Sequence, residues 1–150
     1  MSTRSGIGIM VNGNIHGIYC HSDGYVSYNG YLLHHFYQNE EKVLALVKQG
    51  DMSVLGMDIG YKIDFNERMQ YVTLAVDEDA VKAKSVAQQC RFYARDRGEK
   101  TPHGVYGSEI EFERAIDGEY FYLFKHGEWL VSKGNGFVPL SSYFIKEEVS

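Results

Sequence analysis

The sequence predicts an α+β domain, with a mainly antiparallel sheet built from hairpins and three or four helices packed on it. Three observations carry this. Asn12-Gly13 separates two apolar runs of strand length, and His126-Gly127 separates two more. Asn39 and Ser108 each open a stretch whose apolar residues recur at helical spacing. No internal repeat, linker or low-complexity segment interrupts the 150 residues, so one domain is expected over 1–150.

Residues 6–11 (GIGIMV) and 15–20 (IHGIYC) form the first hairpin, because a type I′ turn needs positive φ at both central positions and Asn-Gly tolerates this. Asn29 is expected to cap a short helix carrying Leu32, Leu33, Phe36 and Tyr37. Asn39 caps a second helix. There Glu40 and Glu41 complement the N-terminal dipole, Val43, Leu44 and Val47 form the buried stripe, and Gly50 supplies the stop.

Residues 61–65 and 70–76 read as strands, 79–88 as a short helix with Val81 and Val86 inward, and Cys90 to Ala94 as another strand. Ser108 with Glu111 makes a capping box for a helix that turns Ile110, Ala115 and Ile116 inward and ends at Gly118. Residues 119–125 and 128–133 give the second hairpin. Pro139, Ser141 and Ser142 precede a C-terminal helix.

Composition narrows the function classes. With 44% hydrophobic and 23% charged residues the chain has the balance of a folded domain, not of a disordered one. Its apolar runs are too short to span a bilayer, so no membrane association is expected. The start MSTRSGIGIM lacks a basic region followed by a long apolar stretch. No signal peptide is therefore read, a cytoplasmic location is expected, and Cys20 and Cys90 are expected to stay reduced.

A net charge of −5 disfavours duplex nucleic acid, which needs a basic surface. Local charge differs from the total. Residues 91–100 place Arg91, Arg95, Arg97 and Lys100 against Asp96 and Glu99, a net of +2 that leaves −7 on the remainder. One basic island on an acidic body suits a small anionic ligand or an acidic partner. Twelve tyrosines either fill half-buried strand positions or supply stacking faces.

The stretch IYCHSDGY (18–25) crowds Cys20, His21 and Asp23 together. As a metal site it fails on spacing, because Cys20 and His21 are adjacent and a strand sends neighbours to opposite faces. His34-His35 fails likewise on a helix. As a nucleophile Cys20 lacks a placed base and an oxyanion hole, and Asp23-Gly24 reads as a turn. Gly6-Ile7-Gly8 lies in a hairpin strand, not a strand-to-helix turn, and no P-loop occurs. Asp51, Asp58, Asp64, Asp77 and Asp79 show no nuclease or phosphatase spacing. No catalytic residue, metal or cofactor is therefore expected.

Three blocks, T3-R-S-G-I-G-I9, Y19-C-H-S-D-G-Y25 with N29-G30, and G50-D-M-S-V-L-G56, together resemble a widespread family of small, mostly uncharacterised proteins encoded by tailed bacteriophages. R95-D-R-G-E99 and the region from W129-L-V-S to F137-V-P-L140 are similar to it as well, leaving about 57–90 as the variable part. The family's pattern has Trp and Pro where Ser22 and Val26 stand here.

The resemblance implies a phage accessory protein that counters host defence in the bacterial cytoplasm. Two mechanisms follow. One sequesters a nucleotide-derived signal and needs guanidinium groups for phosphate with aromatic faces for a base. Arg91, Tyr93, Arg95 and Arg97 supply both, with Asp23 and Tyr25 joining them if the two loops meet at one sheet edge. The other covers a host defence protein with the acidic surface. A structural or regulatory phage protein without a small ligand is the plain alternative. In a plainer reading of Arg95 and Arg97, they pair with Asp96, Glu99 or Asp23 to pin a strand end. A homodimer or higher oligomer is expected to cover exposed aromatics.

Overall fold

A computed structural model describes residues 3–59, 89–100 and 103–143. The expected strands at 61–65 and 70–76 and the helix at 79–88 lie outside them. Strands β1 (Ser5–Val11) and β2 (Asn14–Cys20) pair antiparallel through the Asn12-Gly13 turn, whose φ values of 51° and 83° are those the Asn-Gly pair predicts. The second expected hairpin forms from β6 (Tyr120–Lys125) and β7 (Glu128–Ser132), with His126 and Gly127 both at positive φ.

Short strands complete the sheet: β3 (Met52–Val54), β4 (Arg91–Phe92), β5 (Gly104–Tyr106) and β8 (Val138–Pro139). The order is β4-β3-β2-β1-β6-β7-β8, with β5 pairing beside the first half of β2. Two contacts, β1–β6 and β2–β3, are parallel; the others are antiparallel. The α+β class and its mainly antiparallel sheet are therefore observed.

Strand alternation gives the sheet two apolar faces. On one, Ile7, Ile9, Ile18 and Cys20 pack with the helices α1 (Tyr31–Phe36) and α2 (Glu40–Lys48) in the larger core. The Asn39 side chain caps α2 by accepting from Glu41 N at 2.7 Å, and Val43, Leu46 and Val47 are its buried stripe; Leu44 is half-buried.

Asn29 does not cap α1. It sits in a π-helical turn (Val26–Gly30) that runs directly into the helix, and its buried amide donates to Ser5 Oγ and Ser22 O, both at 3.2 Å. With its amino group fixed on the buried loop, Asn29 is held inside the π-helical turn and its Oδ1 accepts no helix N–H among the described residues, so α1 proceeds without a side-chain cap.

On the other face α4 (Glu109–Ala115) covers a smaller core. Ser108 Oγ accepts from Glu111 N at 3.2 Å, while Glu111 Oε2 reaches back to Gly107 N at 2.8 Å. Phe112 and Ile116 point inward; Ile110, expected inward, is 61% exposed, and Ala115 is exposed too.

Glycine explains the choice. Gly8 and Gly17 face each other across the hairpin, and a Cβ on Gly17 would lie 2.5 Å from the Phe112 ring. The two missing side chains make a slot that the ring fills, which sets the helix rotation. Gly6-Ile7-Gly8 is thus a packing motif, as its hairpin setting predicts.

The expected strand at Cys90–Ala94 lasts only through Phe92. The short helix α3 (Tyr93–Arg97) follows, stopped by Gly98 at φ 78°. Asp96 Oδ2 accepts from Phe92 N at 2.8 Å and bends the chain out of the strand. At the C-terminal end the described residues finish in a 3₁₀ turn (Leu140–Tyr143), and the helix expected after Ser142 lies outside them.

Candidate functional site

The consecutive residues Tyr19, Cys20 and His21 split between the two faces. Cys20 enters the larger core, where burial pushes its thiol up to about 12 and the Sγ donates to Ser22 O at 3.6 Å. A thiol so protonated is a poor nucleophile. Cys90 is equally buried, bonded to Tyr37 and Gly56, and likewise shifted up by burial.

Asp23-Gly24-Tyr25 is the turn its residue types predict. Asp23 takes φ 56°, Gly24 N donates to Thr3 O at 2.8 Å, and the buried Tyr122 hydroxyl donates to Gly24 O at 2.6 Å. The Tyr25 hydroxyl folds back to Asp23 Oδ1 at 3.2 Å, leaving the ring 38% exposed.

Arg95 and Arg97, two residues apart, have different fates. Arg95 lies over the Phe92 ring and donates to Ile59 O, Cys90 O and both Asp96 oxygens, all within 2.9–3.1 Å. Asp96 is itself buried. Four of the five guanidinium N–H donors of Arg95 are engaged within the chain, so it acts as an internal strut. Arg97 is half-exposed, paired with Glu99 at 2.6 Å and stacked on the Tyr93 ring with 4.9 Å to the centroid. Arg91 is half-buried in β4.

Arg95 and Arg97 therefore follow the strand-pinning alternative for two of its three acidic partners, Asp96 and Glu99. The third pairing, with Asp23, is absent among the described residues. Because the chain is helical from Tyr93 to Arg97, strand alternation does not place Arg91, Tyr93 and Arg95 on one face.

The face opposite Cys20 holds more than the sequence pointed to. The Tyr19 hydroxyl is hydrogen-bonded to His21 Nδ1 at 2.8 Å, and the Tyr93 hydroxyl to the Ser53 side chain of β3. Burial raises both phenols above their ordinary range. Between α4, β2 and β5 lies a cleft of about 270 Å³, lined among others by Tyr19, Asp51, Tyr106 and Asp117.

Asp51 follows Gly50, the positive-φ residue that ends α2, so the helix stop delivers it to the edge of β2. Its Oδ1 accepts from Tyr19 N at 2.9 Å, its backbone carbonyl accepts from Tyr93 N at 3.2 Å, and burial raises its carboxyl above the ordinary range. Asp117, at the far wall, is exposed and paired with Arg4 at 2.8 Å.

Tyr19, Asp51 and Tyr106 were not singled out by residue type or spacing. The available signal was alternation in β2, which places Tyr19 and His21 together and Cys20 apart. Among the described residues no group of three or more His, Cys, Asp or Glu is arranged to hold a metal, and no helix is long and apolar enough to cross a membrane. Comparison with protein families, with curated proteins and with solved structures returned no match.

Proposed function

We propose that this is an accessory protein of the tailed-phage family it resembles, acting in the host cytoplasm as a non-enzymatic sink for a small anionic, nucleotide-type signal of host defence. The observation that carries the reading is the Arg97–Tyr93 couple, whose phenol lies within electrostatic reach of Tyr19. Arg97 is stacked on Tyr93, half-exposed and paired with the equally exposed Glu99. An exposed pair of this kind contributes little, so a phosphate can replace Glu99 at small cost. The neighbouring phenol rings offer base-stacking faces. Arg95 is given no such role, since four of its five donors are engaged within the chain and its side chain is largely buried.

Native mass spectrometry of the purified chain against a nucleotide panel tests this. Retention of a nucleotide that weakens at least tenfold in Arg97→Ala, and more in Tyr93→Leu than in Tyr93→Phe, is expected. If all three variants stay folded and bind as the parent does, the site lies elsewhere. Capture of a host protein with no nucleotide would favour the inhibitor mechanism instead. We further propose a homodimer, supported by exposed Val105 and Ile110. Light scattering at micromolar concentration that gives the 17.1 kDa monomer mass would count against it.

A further inference from the structure

Among the described residues, Asp51 is a carboxylate that keeps acceptor capacity. It is half-buried, and none of the ion pairs among the described residues includes it. One oxygen takes the Tyr19 amide, and no other hydrogen bond to its carboxylate is found among the described residues. Ionised carboxylates accept at about four lone-pair positions, so Asp51 retains acceptor capacity toward the cleft it lines. A desolvated carboxylate without a counter-charge costs stability unless something completes it.

The walls say what kind of group does so. Tyr19 and Tyr106 both line the cleft, and Tyr106 lies back across Gly104, where a Cβ would collide with its ring. No Lys or Arg lines the space. Two phenol side chains and a carboxylate, with no cation among the lining residues, disfavour a phosphate and fit a flat ring edge that presents N–H donors. The volume of about 270 Å³ admits one base, with the remainder of the ligand outside.

We infer that the Asp51 cleft seats a planar edge with two adjacent N–H donors, the chemistry of a guanine base, and so selects guanine-type over adenine-type nucleotides. This rests on the small-ligand reading above and sharpens it. Guanine offers N1–H and N2–H side by side and matches a carboxylate. Adenine offers one amino group beside an acceptor nitrogen that would face Asp51 unfavourably.

Isothermal titration of the full chain at pH 7.5 with GMP, IMP, AMP and methylguanidine tests the assignment. Wild type is expected to bind GMP at least tenfold more tightly than AMP, with IMP between them because it keeps only N1–H. In Asp51→Asn the GMP preference should collapse below threefold. The ligand ladder on wild type decides the matter even if that variant does not fold.

Equal binding of GMP and AMP, weakened equally by Arg97→Ala, would overturn the Asp51 assignment and leave the nucleotide reading standing. Methylguanidine bound by wild type but not by Asp51→Asn, with no nucleotide bound, would uphold the donor-edge site and overturn the nucleotide reading. If none of the four probes binds, both fall.

Discussion

The two faces of the sheet, seen from Tyr19, Cys20 and His21, differ in what is left over for a ligand. On the Cys20 side the side-chain donors are turned to structural use: the Asn29 amino group ties Ser5, Cys20 and Ser22 together, and Arg95 ties Asp96 to two carbonyls. On the Tyr19 and His21 side α4 covers only part of the surface. The uncovered part carries tyrosines, a carboxylate outside any ion pair and a stacked guanidinium. Buried polar groups define the fold when they are satisfied, and groups that keep capacity mark where something else can bind. One strand thus builds both environments, residue by residue.

The largest expected effect separates the two arginine pairs. Asp96→Asn leaves the Arg95 guanidinium, only 14% exposed, without its counter-charge. Breaking a pair of this kind costs about 3–5 kcal/mol. Arg97→Ala should shift stability by no more than about 0.5 kcal/mol, as surface substitutions do. Urea denaturation of both variants measures the difference. Similar losses would mean that Arg97 is also a strut, and the contrast between the faces would disappear at this end of the sheet.

A smaller effect is expected under α4. Gly17→Ala puts a methyl where the Phe112 ring lies, 2.5 Å from the new carbon. Overpacking costs about 1–3 kcal/mol, and Phe112→Leu in the same chain should recover part of it by vacating the slot. Denaturation of the single and double variants provides the cycle. Strict additivity would show that the glycine pair is not what positions the helix.

Much of this architecture was legible in the sequence because its determinants are local. Asn12-Gly13, Asn39 with Glu41, and Ser108 with Glu111 act within four residues, and each does what its chemistry predicts. The departures have non-local causes. Ile110 is out because Phe112 finds Gly8 and Gly17, about a hundred residues earlier in the chain, and Asn29 leaves the helix end for Ser5. The cleft was illegible for the same reason: Tyr19, Asp51, Tyr106 and Asp117 meet only once β5 pairs beside β2 and α4 crosses the hairpin. Spacing cannot reveal such a set.

The smallest expected effects are two pH dependences of opposite sign. His16 Nδ1 and His103 Nε2 lie 3.0 Å apart, a distance at which one proton is shared and two repel. Burial first, then His16 and Lys48, hold His103 below the ordinary imidazole range. The unfolded chain therefore binds the proton more readily, and stability falls as pH drops below about 6.5. Asp51 behaves in reverse. Burial raises its carboxyl, so the folded chain holds that proton to higher pH than the unfolded one, and stability falls as pH rises above the ordinary carboxylate range. His103→Gln should flatten the acid side of a stability–pH profile, and Asp51→Asn should flatten the slope contributed at its own end. The Asp51 slope carries the further meaning. A ligand that donates N–H groups to the carboxylate favours its ionised form, so saturating GMP should abolish the Asp51 slope in wild type and leave the His103 slope untouched. A profile in which GMP alters neither slope would mean that the ligand does not reach Asp51.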